Sequence, residues 1–379
     1  MECTVEREDL LRCLYLVQGV VEKRTTLPIL AHVLIESSGN DLSLNATDLE
    51  IGIRQKCAAV VKKGGALTAD ARKLYEIVRE LPQGPVGLRL VDSGWVEVKS
   101  DRSRLRIASL DPKEFPAIST RDRGGERDRE GGLQLVVVQE EVLRDMVEKT
   151  LFAISPDETR PSLSGVFLEA QTSGKLRMVA SDGHRLSLIE KSVPNLDPAS
   201  WPPAILPRKG LVEARKLLER SDEEVEMTVQ GVLASLKKGS TELSIRLIEG
   251  EFPDYRQVIP NRSKHLLSFE RNEFFNAIRR LLILTTERSR GVKLPVEKGK
   301  MEISVNNPDL GEGVEEVEIT YEGGGLAIGF NGRYLADMLG VLEEGCRLQM
   351  ALNDEASPGV LRLEGDEDYL YVLMPMRIY

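Results

Sequence analysis

The sequence predicts an α+β fold of three similar domains, each of which contains a strand, a helix and further strands twice over. A chain of 379 residues is long enough for two or three domains with separate cores. The same order of apolar patterns occurs three times along the chain, at a spacing of about 120 residues. A repeat of this length is the size of a domain and is too long for one unit of a solenoid.

The first helix of each domain is amphipathic. In the first domain, leucine and valine recur at steps of three and four residues, as at Leu10, Leu14 and Val17. The helices predicted in this position span residues 6–23, 139–152 and 270–284.

A second helix follows a strand pair in each domain, and alternating strand patterns come after it. These second helices are predicted at residues 69–82, 207–220 and 331–345. The predicted domains are residues 1–120, 133–253 and 264–379. The linker 121–132 is charged, rich in glycine and free of apolar residues, so it cannot pack. Proline, asparagine and serine interrupt the pattern in the second linker, 254–263.

Composition excludes several classes of protein. No apolar run approaches the roughly 20 residues of a membrane span, and the N-terminus lacks the features of a signal peptide. We therefore expect a cytoplasmic protein. Its four cysteines, Cys3, Cys13, Cys57 and Cys346, form no CxxC pair and are expected to be reduced structural thiols, with no metal site.

Residues 178–188 are an informative stretch, in which an apolar strand leads into a polar turn and a second strand follows. The turn carries Ser181, Asp182, His184 and Arg185. Adjacent residues on one turn cannot all converge on one substrate atom, so a catalytic triad is not expected. From residue types alone, a turn capped by its own polar side chains is the simpler interpretation.

Other enzymatic interpretations find no support either. The chain has no GxxxxGK[ST] loop for nucleotide phosphates, and His32 and His265 stand outside any metal-binding spacing. No pair of carboxylates is singled out for glycosidic chemistry. We expect no catalytic residues, no metal and no cofactor.

The chain ends in a second informative stretch, the apolar run 369–379. Free termini fray and exposed apolar patches are sticky, so this strand is expected to be docked. Together, ASDGHRL at 180–186 and VLMPMR at 372–377 resemble the bacterial DNA polymerase III beta subunit, the sliding clamp family. Six further segments match that family in collinear order: TLPIL at 26–30, NATDLEI at 45–51, PRKG at 207–210, EFPDYRQVIP at 251–260, RGVKL at 290–294 and GFNGRYL at 329–335.

The resemblance implies an architecture and a function. Two protomers of three clamp domains would form a six-domain ring, with helices inside and sheets outside. The ring would encircle duplex DNA without sequence preference and confer processivity on the replicative polymerase. Implied partners are a second copy of the chain, the polymerase alpha subunit, the clamp loader, repair polymerases and other proteins with a clamp-binding motif, but no membrane.

The resemblance also implies a peptide-binding pocket between the second and third domains. It is an apolar slot with a methionine lining and a few polar rim groups, suited to short peptides of varied sequence. The implied residues are Leu163, Ser181, Gly183, His184, Arg185, Leu186, Pro253, Val258, Asn331, Tyr334, Val372, Met374, Pro375, Met376 and Arg377. Gln257 stands where other clamps can carry arginine, which removes a charge at the rim.

Charge distribution identifies the surface that would face DNA. The formal net charge is −10, but the predicted helices sum to roughly +2 and the rest of the chain to about −12. The expected phosphate contacts are Arg24, Arg72, Lys73, Arg208, Lys209, Arg215 and Arg279, and the family resemblance implies Arg160 as a further one. Such binding is weak and salt-sensitive. Pro161 and Ser162 stand where some clamps have paired aromatic residues, so no stacking contact is expected.

The dimer contact implied by the family joins the first domain of one subunit to the third domain of the other. Apolar side chains should contribute most, because exposed ion pairs are worth little individually. The residues are Lys73, Arg104, Leu105, Ile107, Ile283, Leu284, Glu315 and Glu316. Two alternatives stay open: a clamp paralogue with a role in repair or drug tolerance, and a peptide-binding scaffold that forms no ring.

Overall fold

The computed structural model describes residues 1–22, 26–91, 94–118, 135–287 and 289–377. The predicted linker 121–132, Arg24 and Tyr379 lie outside these ranges. Within them the chain forms 6 α-helices and 25 strands, and the predicted α+β class is confirmed. None of the helices in these ranges has the length and apolar character needed to cross a membrane.

The helices occur as three successive pairs along the chain. They are α1 (Arg7–Val20), α2 (Ala71–Glu80), α3 (Glu140–Leu151), α4 (Arg208–Leu217), α5 (Arg271–Leu281) and α6 (Gly332–Gly340). Each lies inside one of the six predicted helical segments. The helix predicted to reach residue 284 ends at Leu281 and continues as a 3-10 turn, Leu282–Leu284.

Periodicity and capping explain why these segments are helical. In α1 the buried residues Leu10, Leu14 and Val17 lie three and four positions apart and form one apolar face. Polar side chains cap the first turns of other helices. The Asp70 side chain accepts a hydrogen bond from the backbone nitrogen of Lys73 at the start of α2, at 2.8 Å.

The strands are mostly short and are numbered in chain order. The first thirteen are β1 (Glu2–Glu6), β2 (His32–Ser38), β3 (Asp41–Thr47), β4 (Ile51–Ala58), β5 (Val60–Lys63), β6 (Ala66–Asp70), β7 (Pro85–Val91), β8 (Trp95–Ser100), β9 (Ser103–Ala108), β10 (Val136–Gln139), β11 (Gly165–Ala170), β12 (Lys175–Ser181) and β13 (Arg185–Ser192). The others are β14 (Ala204–Pro207), β15 (Glu224–Gln230), β16 (Leu233–Lys238), β17 (Thr241–Arg246), β18 (His265–Glu270), β19 (Gly291–Glu297), β20 (Lys300–Asn307), β21 (Gly311–Glu318), β22 (Leu326–Asn331), β23 (Arg347–Leu352), β24 (Gly359–Leu363) and β25 (Tyr369–Leu373).

The chain divides into two compact units. The N-terminal unit comprises Met1–Arg144, Ala199–Pro202 and Lys209–Leu247. It contains a five-stranded sheet, in the order β5-β1-β7-β8-β9, and an eight-stranded sheet, in the order β10-β15-β16-β17-β4-β3-β2-β6. Its core includes the fully buried side chains of Leu10, Leu14, Ile35, Leu42 and Leu67.

The C-terminal unit comprises Asp145–Pro198, Pro203–Arg208 and Ile248–Tyr379. It contains an eight-stranded sheet, β14-β11-β12-β13-β25-β24-β23-β18, and a four-stranded sheet, β21-β20-β19-β22. Its largest fully buried side chains are Tyr369, Tyr371, Phe269, Phe274 and Phe330. The docking expected for the C-terminal apolar run is confirmed, because β25 pairs with both β13 and β24.

Candidate functional site

The site begins with a hairpin in the C-terminal unit. Strand β12 leads into a turn at residues 182–184 and returns as β13, with Ser181 paired to Leu186. On its other edge β13 pairs with β25, where Leu186 lies opposite Val372 and Leu188 opposite Leu370. The two stretches singled out in the sequence are therefore neighbours in one sheet.

The turn is closed by its own side chains. Asp182 Oδ1 accepts hydrogen bonds from the backbone nitrogens of His184, at 2.9 Å, and Arg185, at 3.0 Å. Ser181 Oγ donates to the Arg185 carbonyl at 2.8 Å and accepts from the Gly183 nitrogen at 3.2 Å. Gly183 has a φ of 89°, a conformation that side-chain-bearing residues rarely adopt. This turn holds His184 exposed beside the sheet.

A buried arginine ties the hairpin to the rest of the unit. The Arg185 guanidinium donates from Nε to Asp182 Oδ2 at 3.0 Å, from Nη1 to Asp337 Oδ2 at 2.9 Å and from Nη2 to the Phe152 carbonyl at 2.7 Å. The Tyr334 ring centroid lies 4.1 Å from its guanidinium carbon. Arg185 is only 8% exposed, so its side chain holds the hairpin turn in place from inside the unit.

The pKa values of Arg185, Tyr371 and Tyr334 are shifted from their ordinary values. Burial by itself lowers the pKa of Arg185, but neighbouring Tyr371, Asp337 and Asp182 outweigh burial and raise it overall. Burial raises the pKa of Tyr371 well above its usual value and also raises the pKa of Tyr334. The guanidinium therefore stays charged and both phenols stay neutral at ordinary pH.

An apolar cluster lies beneath the hairpin and the C-terminal strand. Its buried members are Val179, Leu186, Leu188, Tyr255, Val360, Leu370 and Val372, and the partly buried Phe167, Phe252, Ile259 and Ala351 pack against them. The rings of Phe167 and Phe252 stack with centroids 5.1 Å apart. Tyr255 belongs to the 3-10 helix Tyr255–Val258, so this turn is anchored on the same cluster.

The residues after β25 form the other side of the site. The Met374 nitrogen donates to the His184 carbonyl at 2.9 Å, and the Met376 nitrogen donates to the Gly329 carbonyl at 2.7 Å. Asn331 caps α6, because its Oδ1 accepts from the Arg333 nitrogen at 3.0 Å. The C-terminal segment is therefore held between the hairpin turn and the strand that precedes α6.

The fifteen predicted pocket residues all belong to the C-terminal unit, at three levels of exposure. The exposed ones are Gly183, His184, Pro253, Val258, Met376 and Arg377. The half-buried ones are Leu163, Ser181, Tyr334, Met374 and Pro375. The buried ones are Arg185, Leu186, Asn331 and Val372. Apolar side chains at graded depth, with polar groups at the margin, can accept the apolar side chains of an extended segment.

The basic residues predicted to meet DNA differ in availability. Arg208, Arg215 and Arg279 are exposed. Lys73 is exposed but lies 2.7 Å from Glu76, and Arg160 lies 3.7 Å from Asp157.

Two of these basic residues are engaged inside the N-terminal unit. Arg72 Nη2 donates to the Val21 carbonyl at 3.0 Å, at the end of α1. Lys209 pairs with buried Asp48 and lies 3.3 Å from Glu22. Both side chains stabilise the unit, and their charges are less available to a polyanion than the sequence alone indicates.

The predicted dimer residues lie near two sheet edges. Leu105 and Ile107 alternate on β9, an edge strand of the N-terminal unit. Ile283 is 77% exposed in the 3-10 turn after α5. Glu315 lies on β21, an edge strand of the C-terminal unit.

Each predicted ionic group of this contact already has a partner in its own chain. Four distances establish this: Lys73 to Glu76 at 2.7 Å, Arg104 to Glu97 at 3.4 Å, Arg280 to Glu315 at 2.6 Å and Lys300 to Glu316 at 3.2 Å. A contact between subunits would therefore mainly replace ion pairs within each chain by ion pairs between chains, and would add few new ones.

Sequence reasoning did not name the acid and the aromatic rings that support the site. Asp337 holds Arg185 and also pairs with Arg333 at 3.1 Å, and its position four residues after Arg333 on a helix was the available signal. Phe252 directly precedes Pro253 in a segment that the family resemblance covers. Nothing in the sequence pointed to Phe167.

Comparison with known proteins gives full-length matches. Three family models of the DNA polymerase III beta subunit match the chain: the N-terminal domain at residues 1–119, the central domain at 137–254 and the C-terminal domain at 256–377. Among curated proteins, the beta sliding clamps of Caulobacter vibrioides, Pseudomonas aeruginosa and Escherichia coli K12 are 38%, 35% and 32% identical. Each comparison covers 100% of both chains.

Solved structures give the same result. A sliding clamp of Bartonella birtlesii bound to griselimycin matches with a TM-score of 0.92 at 34% identity, and a Caulobacter crescentus sliding clamp matches with 0.88 at 38%. Both comparisons cover 100% of each chain. Fold and site thus define a protein of tandem α+β domains with a buried apolar cluster under its C-terminal strand. The chain belongs to the DNA polymerase III beta subunit family, the beta sliding clamps, which is not named for any catalytic activity.

Proposed function

We propose that two copies of this chain close into a ring around duplex DNA and hold the replicative DNA polymerase on its template. The observation that carries this proposal is similarity to beta sliding clamps over the whole chain, through all three domains. The domains are proposed as residues 1–120, 133–253 and 264–379. The protein is a processivity factor that works in the cytoplasm, without catalytic residues or a cofactor of its own.

The predicted pocket beside the C-terminal strand is the proposed binding site for partner peptides. Its exposed apolar members are Val258, in the 3-10 helix that Tyr255 anchors on the buried cluster, and Met376, which follows β25. Each buried leucine or phenylalanine of a partner contributes about 1.5 to 3 kcal/mol. After ordering costs, two or three such anchors give roughly micromolar affinity. That strength suits partners that exchange: the polymerase alpha subunit, the clamp loader and repair polymerases.

The proposed DNA contacts are the basic side chains on or near the helices. Arg208 and Arg215 on α4 and Arg279 on α5 are exposed and form the core of the set. Lys73 and Arg160 reach solvent although each has an acidic neighbour. Contacts of this kind are independent of sequence and weaken as salt rises. Weak contact is compatible with a ring that is retained by topology and slides.

The proposed dimer pairs edge strand β9 of one subunit with edge strand β21 of the other. Edge strands carry unpaired backbone groups that readily join a second chain. Strand β9 carries Arg104 and Arg106, whereas β21 carries Glu312, Glu315 and Glu316, so the two edges are complementary in charge. Leu105 and Ile283 supply exposed apolar surface for the same contact.

The decisive experiment measures retention on circular and linearised DNA. The protein is loaded by a clamp loader and then washed in salt high enough to screen phosphate contacts. We expect retention on circles and rapid loss from linear molecules, because a topologically linked ring leaves only at an end. Equal loss from both would contradict the ring and favour a peptide-binding scaffold.

A further inference from the structure

A depression lies on the polar face of the five-stranded sheet in the N-terminal unit, and among its lining residues Arg104 is the one that also belongs to the proposed dimer contact. Its volume is about 350 Å³, and its lining includes Thr4 and Gly87, the basic residues Lys62, Arg89, Lys99 and Arg104, and the acidic residues Glu2, Glu97 and Asp101. Thr4 pairs with Gly87, and Gly87 pairs with Lys99, so these residues form one cross-strand row. The missing side chain of Gly87 leaves the middle of the row open.

The neighbouring row is filled by alternating charges. Arg106 lies opposite Glu97, Glu97 opposite Arg89, and Arg89 opposite Glu2. Opposite charges placed in this way stabilise a sheet. The row through Gly87 has no such balance, because Arg104 pairs with Lys99 and no acidic residue continues the row.

Glu97 adds an unusual group at the margin of this depression. Its side chain is 6% exposed, and its Oε2 lies 3.4 Å from Arg104 Nε and 3.9 Å from Arg106 Nε. Among the described residues this oxygen accepts no hydrogen bond. A buried carboxylate oxygen without a donor is costly, so the site lacks one donor that a ligand can provide.

We propose that this depression binds a small phosphate monoester that carries a hydroxyl or amino donor. The phosphate lies over Gly87, where Lys99, Lys62 and Arg104 supply positive charge. The donor group takes the place of Arg104 beside the enclosed Glu97 Oε2, as Arg104 turns toward the phosphate. A volume of about 350 Å³ falls within the range of small-molecule sites.

Isothermal titration of the full-length protein with three probes tests this assignment. AMP carries both a phosphate and donors, inorganic phosphate has only the anion, and adenosine has only the donors. We expect AMP to bind saturably at one site per chain, at least about tenfold more tightly than phosphate, the effect of one charge-assisted hydrogen bond. Adenosine should not bind. Absence of saturable AMP binding, or equal affinity for AMP and phosphate, overturns the proposal.

Two variants locate the binding. Gly87→Val fills the depression, and the atoms nearest its new Cβ lie at 3.7 Å or more, so the sheet accommodates it. Lys99→Gln removes one exposed cation without adding volume. Each should weaken AMP binding by about tenfold or more. Gly324→Val, at an open position in the other unit, is the matched control and should leave binding unchanged.

Unchanged AMP affinity in both Gly87→Val and Lys99→Gln contradicts the proposal, and so does equal weakening in Gly324→Val. Arg104 is left intact in these variants, because it also belongs to the proposed dimer contact. The two variants therefore test AMP binding without altering a residue of the proposed dimer contact.

Discussion

The guanidinium of Arg185 joins three parts of the C-terminal unit through hydrogen bonds to Asp182, Asp337 and the Phe152 carbonyl. Its planar fork presents donors in fixed directions, which one lysine ammonium cannot reproduce. Removing it takes a donor from all three acceptors, of which Asp182 is buried. The exposed pocket residues of the hairpin, Gly183 and His184, are consequently held in place by the almost inaccessible side chain of Arg185.

We therefore expect Arg185→Lys to lower the free energy of unfolding by about 3 kcal/mol, because buried polar partners lose their hydrogen bonds. Urea denaturation followed by circular dichroism measures the change. Arg347→Lys is the control, since Arg347 is exposed and pairs with Glu364 at 2.9 Å. The control should differ from wild type by less than about 1 kcal/mol. Equal losses in the two variants would contradict the role given to Arg185.

Glu140 is a second buried polar residue, at the first position of α3. Its carboxylate accepts from Lys238 Nζ at 2.5 Å, from the Glu219 nitrogen at 2.5 Å and from the Ser221 hydroxyl. Burial by itself raises the pKa of Glu140, but the bonds from Lys238, Ser221 and the Glu219 nitrogen outweigh burial and lower it overall. The folded state thus favours the charged carboxylate.

This lowered pKa fixes the sign of a pH effect. A carboxyl with a lower pKa in the folded state stabilises fully above its ordinary value of 4.5 and loses that contribution as pH falls further. Glu140→Gln should cost about 3 kcal/mol near neutral pH, and its deficit relative to wild type should narrow below pH 4.5. Urea denaturation over a pH series measures this. A deficit that stays constant across the series, or a similar one in exposed Glu297→Gln, would contradict the assignment.

Strands β11 and β14 approach so closely that one position admits only glycine. Gly165 pairs with Pro207, and a methyl group at Gly165 would overlap the Leu206 carbonyl oxygen and lie 2.9 Å from Ile205 Cγ2. A backbone oxygen cannot rotate away, so the strands must separate.

Gly165→Ala should accordingly lower the unfolding free energy by about 1 to 3 kcal/mol through overpacking. Thermal and urea denaturation measure the loss. Gly324→Ala, which meets no atom within 4 Å, is the matched control. If Gly165→Ala is as stable as that control, the close approach of the two strands is not as described.

The 3-10 helix Tyr255–Val258 provides a test of peptide binding in the predicted pocket. Val258 is 37% exposed while Tyr255 anchors the turn in the cluster, so a charge at Val258 should spare the fold. We expect Val258→Asp to weaken binding of a labelled peptide with leucine and phenylalanine anchors by about tenfold or more. Fluorescence anisotropy measures the affinity.

Val232→Asp makes the same substitution at an exposed valine of the N-terminal unit and is the control for Val258→Asp. Equal losses in both variants would indicate a general charge effect instead of a lost apolar contact.

Local patterns predicted the elements well, and distant pairings explain what could not be predicted. The spacing of Leu10, Leu14 and Val17 predicts a helix because residues close together in sequence define its apolar face. Nothing local states that β13 pairs with β25, or that Arg185 lies buried against Asp337, since these contacts join residues more than 150 positions apart. The peptide-binding pocket was predicted only because a family resemblance supplied that missing link, and both the pocket and the roles of its residues stay a prediction.

At the scale of the whole molecule, dimer closure should depend on apolar contact more than on charge. Ile283 is 77% exposed, whereas the ionic residues already have partners within the chain. We expect Ile283→Ala combined with Leu284→Ala to give monomers in sedimentation velocity at micromolar concentration. Leu266→Ala removes an apolar side chain of similar size that is 53% exposed on β18, and it should leave the dimer intact. Intact dimers of the double variant would contradict the proposed contact.

The two eight-stranded sheets also determine how the molecule responds to force. In the N-terminal unit, β4 of the first family domain pairs with β17 of the second, from Ile51 opposite Ile245 to Gln55 opposite Thr241. In the C-terminal unit, β13 of the second family domain pairs with β25 of the third. A load that pulls consecutive domains apart must therefore break a continuous ladder of backbone hydrogen bonds. Each of these two junctions is therefore reinforced by a sheet that both family domains share.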